Sequence, residues 1–374
     1  MATLDVHPLR TASDRKSFVM LPWTIYAGDQ HWVPPLLMDQ KKTLKKDYPF
    51  FEHGNGELFI ARRGKRIVGR ISAQYDRRHL EKFNDQRGFF GWFECENDPE
   101  AAQALVNTAR SWLADRALGF THLRGPFQWN INGENTGVLV RDLIPGRPRV
   151  LMSYNPPWYP ELLQSAGLTK LIDLFAYIST PSDIGRFLKL LDAIRRRLPS
   201  MQSRPLNMGS GYLSDMETVR VLYNSAWCEN WGALDLSPNE MAVIAKGLKP
   251  IAQPQLTRIC SVDGRPAGCI VCLPDINEIL HGLNGRLLPL GWFKLLTGAK
   301  KLRHIRTMLM GVAPEFRGRG LEAVLIGEII EDGLRMGCES SELSWILETN
   351  APMLSLANKA GKLSRTYRVY EGII

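Results

Sequence analysis

Apolar residues recur along this chain with two periods, and the order of those periods is written twice. In the second half, residues 256–262 and 267–273 are apolar and β-branched, with Asp263-Gly264-Arg265-Pro266 between them, the pattern of a hairpin. Residues 305–312 read as the next strand and 322–336 as a helix. In 343–349 the faces alternate, with Leu343, Trp345 and Leu347 on one side and Ser344, Ile346 and Glu348 on the other. A helix over 351–360 reaches Gly361, a residue suited to a C-cap, and 366–370 is a last strand. An amphipathic helix over 215–227 precedes the set. The first half repeats the order. Residues 58–61 and 67–73 form a hairpin turning at Gly64-Lys65, and 89–94 is a strand. A helix then starts at Asp98, with Glu100 in its first turn, and runs to about 117. A short strand at 122–123, a helix over 159–166 closed by Gly167, and a strand over 171–178 complete the copy. Asn155 precedes Gly167 at nearly the interval by which Asn350 precedes Gly361. The pattern predicts an α/β protein, α+β with mixed sheets, in two domains over 1–180 and 206–374. The linker over 181–205 would hold a short basic helix at 184–198.

Between strand 305–312 and helix 322–336 stands Gly311-Val312-Ala313-Pro314-Glu315-Phe316-Arg317-Gly318-Arg319-Gly320-Leu321. A glycine-rich turn running into a helix presents free backbone N–H groups at a positive helix end, where a pyrophosphate binds. Glycines there let the backbone approach the ligand closely. The stretch resembles the acyl-CoA signature of the GNAT N-acyltransferase superfamily, Arg/Gln-x-x-Gly-x-Gly/Ala. Residues Arg317 to Leu321 fill the first five places, and Glu322 departs from the pattern at the sixth.

The order of elements in each half is also similar to that superfamily, so the resemblance implies two tandem GNAT-like acyl-CoA N-acyltransferase domains. It implies that backbone N–H groups of Met310, Gly311 and Val312 hold the pantetheine arm and polarise the thioester carbonyl. Arg317, Gly318, Arg319, Gly320 and Leu321 would then cradle the CoA phosphates. The first copy carries Cys95-Glu96-Asn97-Asp98-Pro99 at the equivalent turn, an acidic stretch that repels phosphate. A degenerate first domain that completes the acceptor cleft is the expectation, with Trp23, Trp32 and Trp129 as lining candidates. The superfamily's tyrosine proton donor is absent, since its place is Ala357; Tyr367 and Tyr370 are the substitutes to consider. Candidates for the base that takes the amine proton are Glu278, Glu348 and His281. Further runs resemble a bacterial branch of tandem GNAT-like proteins that includes bacterial ceramide synthases. Among them are Trp32-Val33-Pro34-Pro35-Leu36, Gly88-Phe89-Phe90-Gly91-Trp92-Phe93-Glu94, Arg124-Gly125-Pro126-Phe127 and Thr366-Tyr367-Arg368-Val369-Tyr370.

Composition narrows the partners. The 374 residues are 44% hydrophobic and 23% charged, which suits globular domains. No apolar stretch reaches the ~20 residues of a membrane span, and residues 1–15 lack the apolar core of a signal peptide. The expected location is cytoplasmic, with peripheral contact to the inner membrane considered. A net charge of +9 favours anionic partners: CoA, an acidic acyl carrier protein or acidic lipid headgroups. No signature of nucleic-acid binding accompanies it. Cys269 and Cys272 sit in a strand-like run without a second pair, so buried thiols are expected and no metal site. Residues 280–303 place Leu, Trp and Phe beside Lys and Arg, a composition for a membrane interface, a long acyl pocket or a lid packed on the domain.

The chain is thus expected to be an acyl-CoA-dependent N-acyltransferase acting by direct attack in a ternary complex. Acetyl-CoA or a longer acyl-CoA would be the donor and an amine the acceptor, with sphingoid and other lipid amines among the candidates. Glu322 and Ala357 keep open a protein that binds acyl-CoA without turnover. Transfer to a small soluble amine is a third reading.

Overall fold

The computed structural model describes residues 3–133 and 135–374, with the backbone alone at 186–190, 192–194 and 300. Its contacts divide the chain into unit 1 (Met1–Leu174, Leu280–Leu287 and Arg365–Ile374) and unit 2 (Phe175–Ile279 and Leu288–Ser364). Unit 1 begins with β1 (Leu4–Pro8), α1 (Ala12–Ile25), α2 (Leu37–Thr43), β2 (Gly54–Arg63), β3 (Arg66–Asp76), α3 (Arg77–Phe83) and β4 (Arg87–Cys95). It continues with α4 (Pro99–Ala114), β5 (His122–Gly125), β6 (Val138–Asp142), α5 (Tyr159–Ser165) and β7 (Thr169–Ser179), a strand whose end belongs to unit 2. Unit 2 adds α6 (Pro181–Arg197), β8 (Met201–Pro205), α7 (Tyr212–Trp227), α8 (Pro238–Leu248), β9 (Thr257–Val262), β10 (Arg265–Pro274) and α9 (Asn277–Leu280). Then come α10 (Gly291–Gly298), β11 (His304–Val312), α11 (Leu321–Arg335), β12 (Ser340–Leu347) and α12 (Ala351–Ala360). β13 (Lys362–Ile373) starts in unit 2 and ends in unit 1.

The strands of the two units share one plan. In unit 1, β1, β2, β3 and β4 pair antiparallel in that order and β5 joins β4 parallel. In unit 2, β8, β9, β10 and β11 do the same and β12 joins β11 parallel. The β9–β10 hairpin turns through Asp263 (φ 50°) and Gly264 (φ 76°), the left-handed pair that matches strand twist. Helix α4 buries one stripe, with Ala101, Leu105, Val106, Ala109 and Leu113 all inaccessible to solvent. Burying a Leu or Val side chain of this kind stabilises by roughly 1.5–3 kcal/mol. Gly69 of β3 allows that approach, since a Cβ there would stand 2.6 Å from the Leu105 methyl.

Three sequence expectations change. The stretch read as a linker is part of unit 2: β8 pairs with β9, and Arg195 of α6 bonds Glu331 of α11 at 3.0 Å. The closing strands are exchanged: Arg365–Ile374 belong to unit 1, where Tyr370 pairs with Gly125 of β5. The second part of β7 lies beside β12. Gly361 is no left-handed cap, having an extended φ of −173°. A Cβ there would come within 2.4 Å of the Ile178 carbonyl, so close packing selects the glycine.

Candidate active site

In unit 2 the parallel β11–β12 pairing runs from His304↔Ser340 to Thr307↔Leu343, and the strands then part. On its other side β11 stays paired with β10 as far as Val312, with a register shift that makes Met308 an extra residue opposite the Val271–Cys272 step. A bulge bends its strand and raises the local twist, which suits a strand leaving its neighbour. Thr307 to Gly311 are all half-buried, whereas Ile305 and Arg306 before them are buried. The result is a fork whose open arm is Met308–Val312 and whose other arm is Ser344–Leu347. Charge holds its apex. Arg306 and Glu342, opposite each other in the register, are both buried; the Arg306 Nε donates to the Ser344 hydroxyl (2.9 Å), which donates to Glu342 (2.7 Å). The sequence reading missed this trio. Its signal was two polar residues at alternate positions of an apolar strand, opposite an arginine.

The glycine turn leaves the open arm. Gly318 (φ 74°) and Gly320 (φ 91°) take left-handed conformations that disfavour a Cβ. Gly320 is the N-cap of α11 and offers no capping side chain. Phe316 and Arg317 donate their N–H groups to Ala313 and Pro314. Among the described residues, the N–H groups of Gly318, Arg319, Gly320, Leu321 and Glu322 meet no acceptor. A helix start with such donors is an anion site in geometry and charge. Glu322 is half-buried in the first turn of α11, and its charge adds, after burial and Glu328, to the rise of the Cys260 thiol to about 12.

The two arginines of the motif are occupied by the protein. Arg317 donates to the Ala226 carbonyl (2.9 Å) and faces Glu229 (3.6 Å), bracing the turn against the end of α7. Arg319 donates to the Glu315 carbonyl (3.2 Å) and lies over the Phe316 ring. Gly311 also has a structural reason, since a Cβ there would stand 2.2 Å from the Trp227 ring.

The register also sorts the proposed acids and bases. Glu278 follows β10, whose last residue Pro274 pairs with Ile305. Gly311 lies six residues further along β11, roughly 20 Å at strand spacing, so Glu278 stands by the closed end of the fork. Glu348 follows β12, the arm that leaves β11 once their pairing ends at Thr307↔Leu343. His281 belongs to the stretch counted with unit 1. Tyr367 and Tyr370, also in unit 1, are completely buried. Tyr370 packs among Phe90, Leu123 and Leu168 in the core of that unit. Both stand on β13, in the stretch counted with unit 1, whereas β11 and α11 belong to unit 2. Ala357 is buried in one apolar cluster with Tyr177 and Ile346. Trp129 is a core residue stacked on Phe50, while half-buried Trp23 and Trp32 meet edge to face at 5.2 Å. Cys269 and Cys272 are buried thiols pushed up to about 12 by desolvation, too high for thiolate chemistry near neutral pH.

Unit 1 treats the matching place differently. Its β4 also bulges, at Trp92 (φ 52°), but the chain after β5 stays close: Phe127 donates its N–H to Phe90 (2.8 Å). A Cβ on Gly91 would fall 1.7 Å from the Phe127 carbonyl oxygen. The Cys95 N–H donates to the Tyr159 hydroxyl (3.0 Å), which donates to half-buried Glu94 (2.6 Å). Helix α4 is capped by Asp98, which accepts from the Ala101 N–H (3.1 Å) and from Arg63 (2.7 Å).

No protein-family model matches the chain. It is 37% identical to the bacterial ceramide synthase of Caulobacter vibrioides (strain NA1000 / CB15N), over 99% of this chain and 97% of that one. It is 32% identical to the protein YghO of Escherichia coli (strain K12), over 96% and 93%. Among solved structures, a tandem GNAT protein from the clavulanic acid biosynthesis pathway matches with a TM-score of 0.58, at 15% identity, over 99% of this chain and 98% of that one. That likeness shows the tandem GNAT fold. No helix among the described residues is long and apolar enough to cross a membrane.

Proposed function

Since the chain belongs to the GNAT-like N-acyltransferase family of the bacterial ceramide synthase, we propose that unit 2 transfers a long acyl chain from acyl-CoA to a lipid amine of the sphingoid type. The observation that carries the donor half of this reading is the run of unpaired N–H groups from Gly318 to Glu322 beside the open arm of β11. Those donors take the CoA phosphates, and the open strand edge at Met308–Val312 takes the pantetheine amides and the thioester carbonyl. Sequence similarity to the ceramide synthase supports the acceptor half. An acyl carrier protein would present the same pantetheine arm, and a basic chain suits it too.

The amine nitrogen attacks the thioester carbon and its surplus proton passes to Glu348. The C–S bond then breaks, and CoA leaves as a thiolate that takes up a proton. Glu348 is assigned the base because it follows β12, whose end forms the arm of the fork opposite Met308–Val312.

The test begins with the melting temperature in palmitoyl-CoA, acetyl-CoA and CoA. A ligand at about 100 times its Kd stabilises the folded state by about 2.7 kcal/mol, a shift of several degrees. Space around Gly318 is open, and Asn and Asp tolerate its left-handed conformation. Gly318→Asp is therefore expected to abolish the shift and Gly318→Asn to keep most of it. Equal shifts in both variants would remove the phosphate cradle from this site. With palmitoyl-CoA and sphinganine, an amide product by mass spectrometry is expected. Glu348→Gln should lower its rate by about 100-fold or more while the palmitoyl-CoA shift persists. An unchanged rate would exclude Glu348 as the base.

A further inference from the structure

Helix α10 is turned inside out. Its inward positions carry Gly291 and Leu295, followed by buried Ala299, and a Cβ on Gly298 would stand 2.7 Å from Ile279. Large apolar side chains on it and just before it face water: Leu288 is 78% exposed, Leu290 68%, Trp292 49%, Phe293 56% and Leu296 46%. A helix of a water-soluble surface places these the other way round, so folding of the chain does not account for them. Trp292 and Phe293 meet nearly edge to face at 6.0 Å, with exposed Leu288, Leu290 and Leu296 close to them in the chain, and these residues make up the ridge. Charge says what covers the ridge. Residues 280–303 contain Arg286, Lys294, Lys300, Lys301 and Arg303 and no Asp or Glu. Lys294 is exposed within the ridge, and Lys301 is exposed one turn beyond the helix. Protein interfaces favour Trp and Phe but are depleted of Lys. Segments that lie in a bilayer interface combine exposed Trp, Phe and Leu with Lys and Arg, and take hold of anionic headgroups.

We propose that the Leu288–Leu296 ridge docks unit 2 on an anionic lipid membrane, with Trp292 and Phe293 inserted at the headgroup level and Lys294 and Lys301 on the phosphates. This docking does not rest on the thioester reading, because its readout is binding to lipid alone. The experiment is co-sedimentation of the full chain with vesicles of phosphatidylcholine, pure or containing about one-third phosphatidylglycerol. Binding to the anionic vesicles is expected, with much weaker binding to the neutral ones. The exposed pair Trp292→Ser/Phe293→Ser should weaken it roughly tenfold or more. Lys294→Gln/Lys301→Gln should cost about fivefold per lysine. Circular dichroism of each variant should show unchanged melting, since the replaced side chains face water. Absence of binding to either vesicle would overturn the proposal, and so would binding that survives the aromatic substitutions. So, too, would sedimentation showing that the ridge joins two copies of the chain, separated by the aromatic substitutions, without lipid affinity.

Discussion

The end of β4 in unit 1 and the end of β11 in unit 2 begin alike and finish as opposites. Each is the fourth strand of an antiparallel run, each bulges near its middle, and each has a parallel neighbour on one side. In unit 2 the neighbour departs after Thr307 and the following helix starts on a glycine with five donors unpaired among the described residues. In unit 1 Phe127 keeps the gap shut, Tyr159 takes the last strand N–H, and Asp98 caps the helix. Backbone donors have to be satisfied somewhere. Unit 1 satisfies them within its own fold; in unit 2 five of them meet no acceptor among the described residues.

The comparison can be broken most forcefully at Glu342. Glu342→Gln strips a buried carboxylate from the network that ties Arg306 to Ser344, and should cost about 3–5 kcal/mol in urea unfolding. A cost below about 1 kcal/mol would mean that the buried charges do not set the apex of the fork. Next is Gly91→Ala, which forces a methyl into the Phe127 carbonyl and should cost about 3 kcal/mol. Full tolerance would show that the β4–β5 gap can open, and the contrast between the units would fade. The smallest effect is expected from Asp98→Ala, about 1 kcal/mol, through loss of the α4 cap. Hydrogen bonds from Arg63 are the main cause holding the Asp98 carboxyl below its usual 3.8. A depressed carboxyl contributes fully above the unfolded-state value and loses its contribution as the pH falls through the folded-state value. The melting-temperature gap between wild type and Asp98→Ala should therefore narrow from about pH 5 toward about pH 2. A gap that stays constant would assign the stability to something other than the ionised cap.

Much of this was legible in the chain. The β9–β10 hairpin follows from Asp263-Gly264, and the open helix start follows from Gly318 and Gly320. The shut unit was half legible: Asp98 in the place of a glycine announced a capped helix, but nothing nearby announced Phe127, 29 residues further on, as the plug. Helix α1 carried a readable start that was passed over, the Thr11/Asp14 capping box. The repeated asparagines misled. Asn350 caps α12, whereas Asn155 bonds both backbone groups of Leu139 on β6.

The sequence by itself determined the elements, their repeated order and the turn that leaves donors free, because periodicity, glycine conformations and caps act over a few residues. Only the tertiary structure decided that the last ten residues complete unit 1, that Arg317 is a brace, and that Glu278 stands by the closed end of the fork. Strand partners and register are set by packing between residues far apart in the chain, and no local pattern encodes which strand comes to lie beside which.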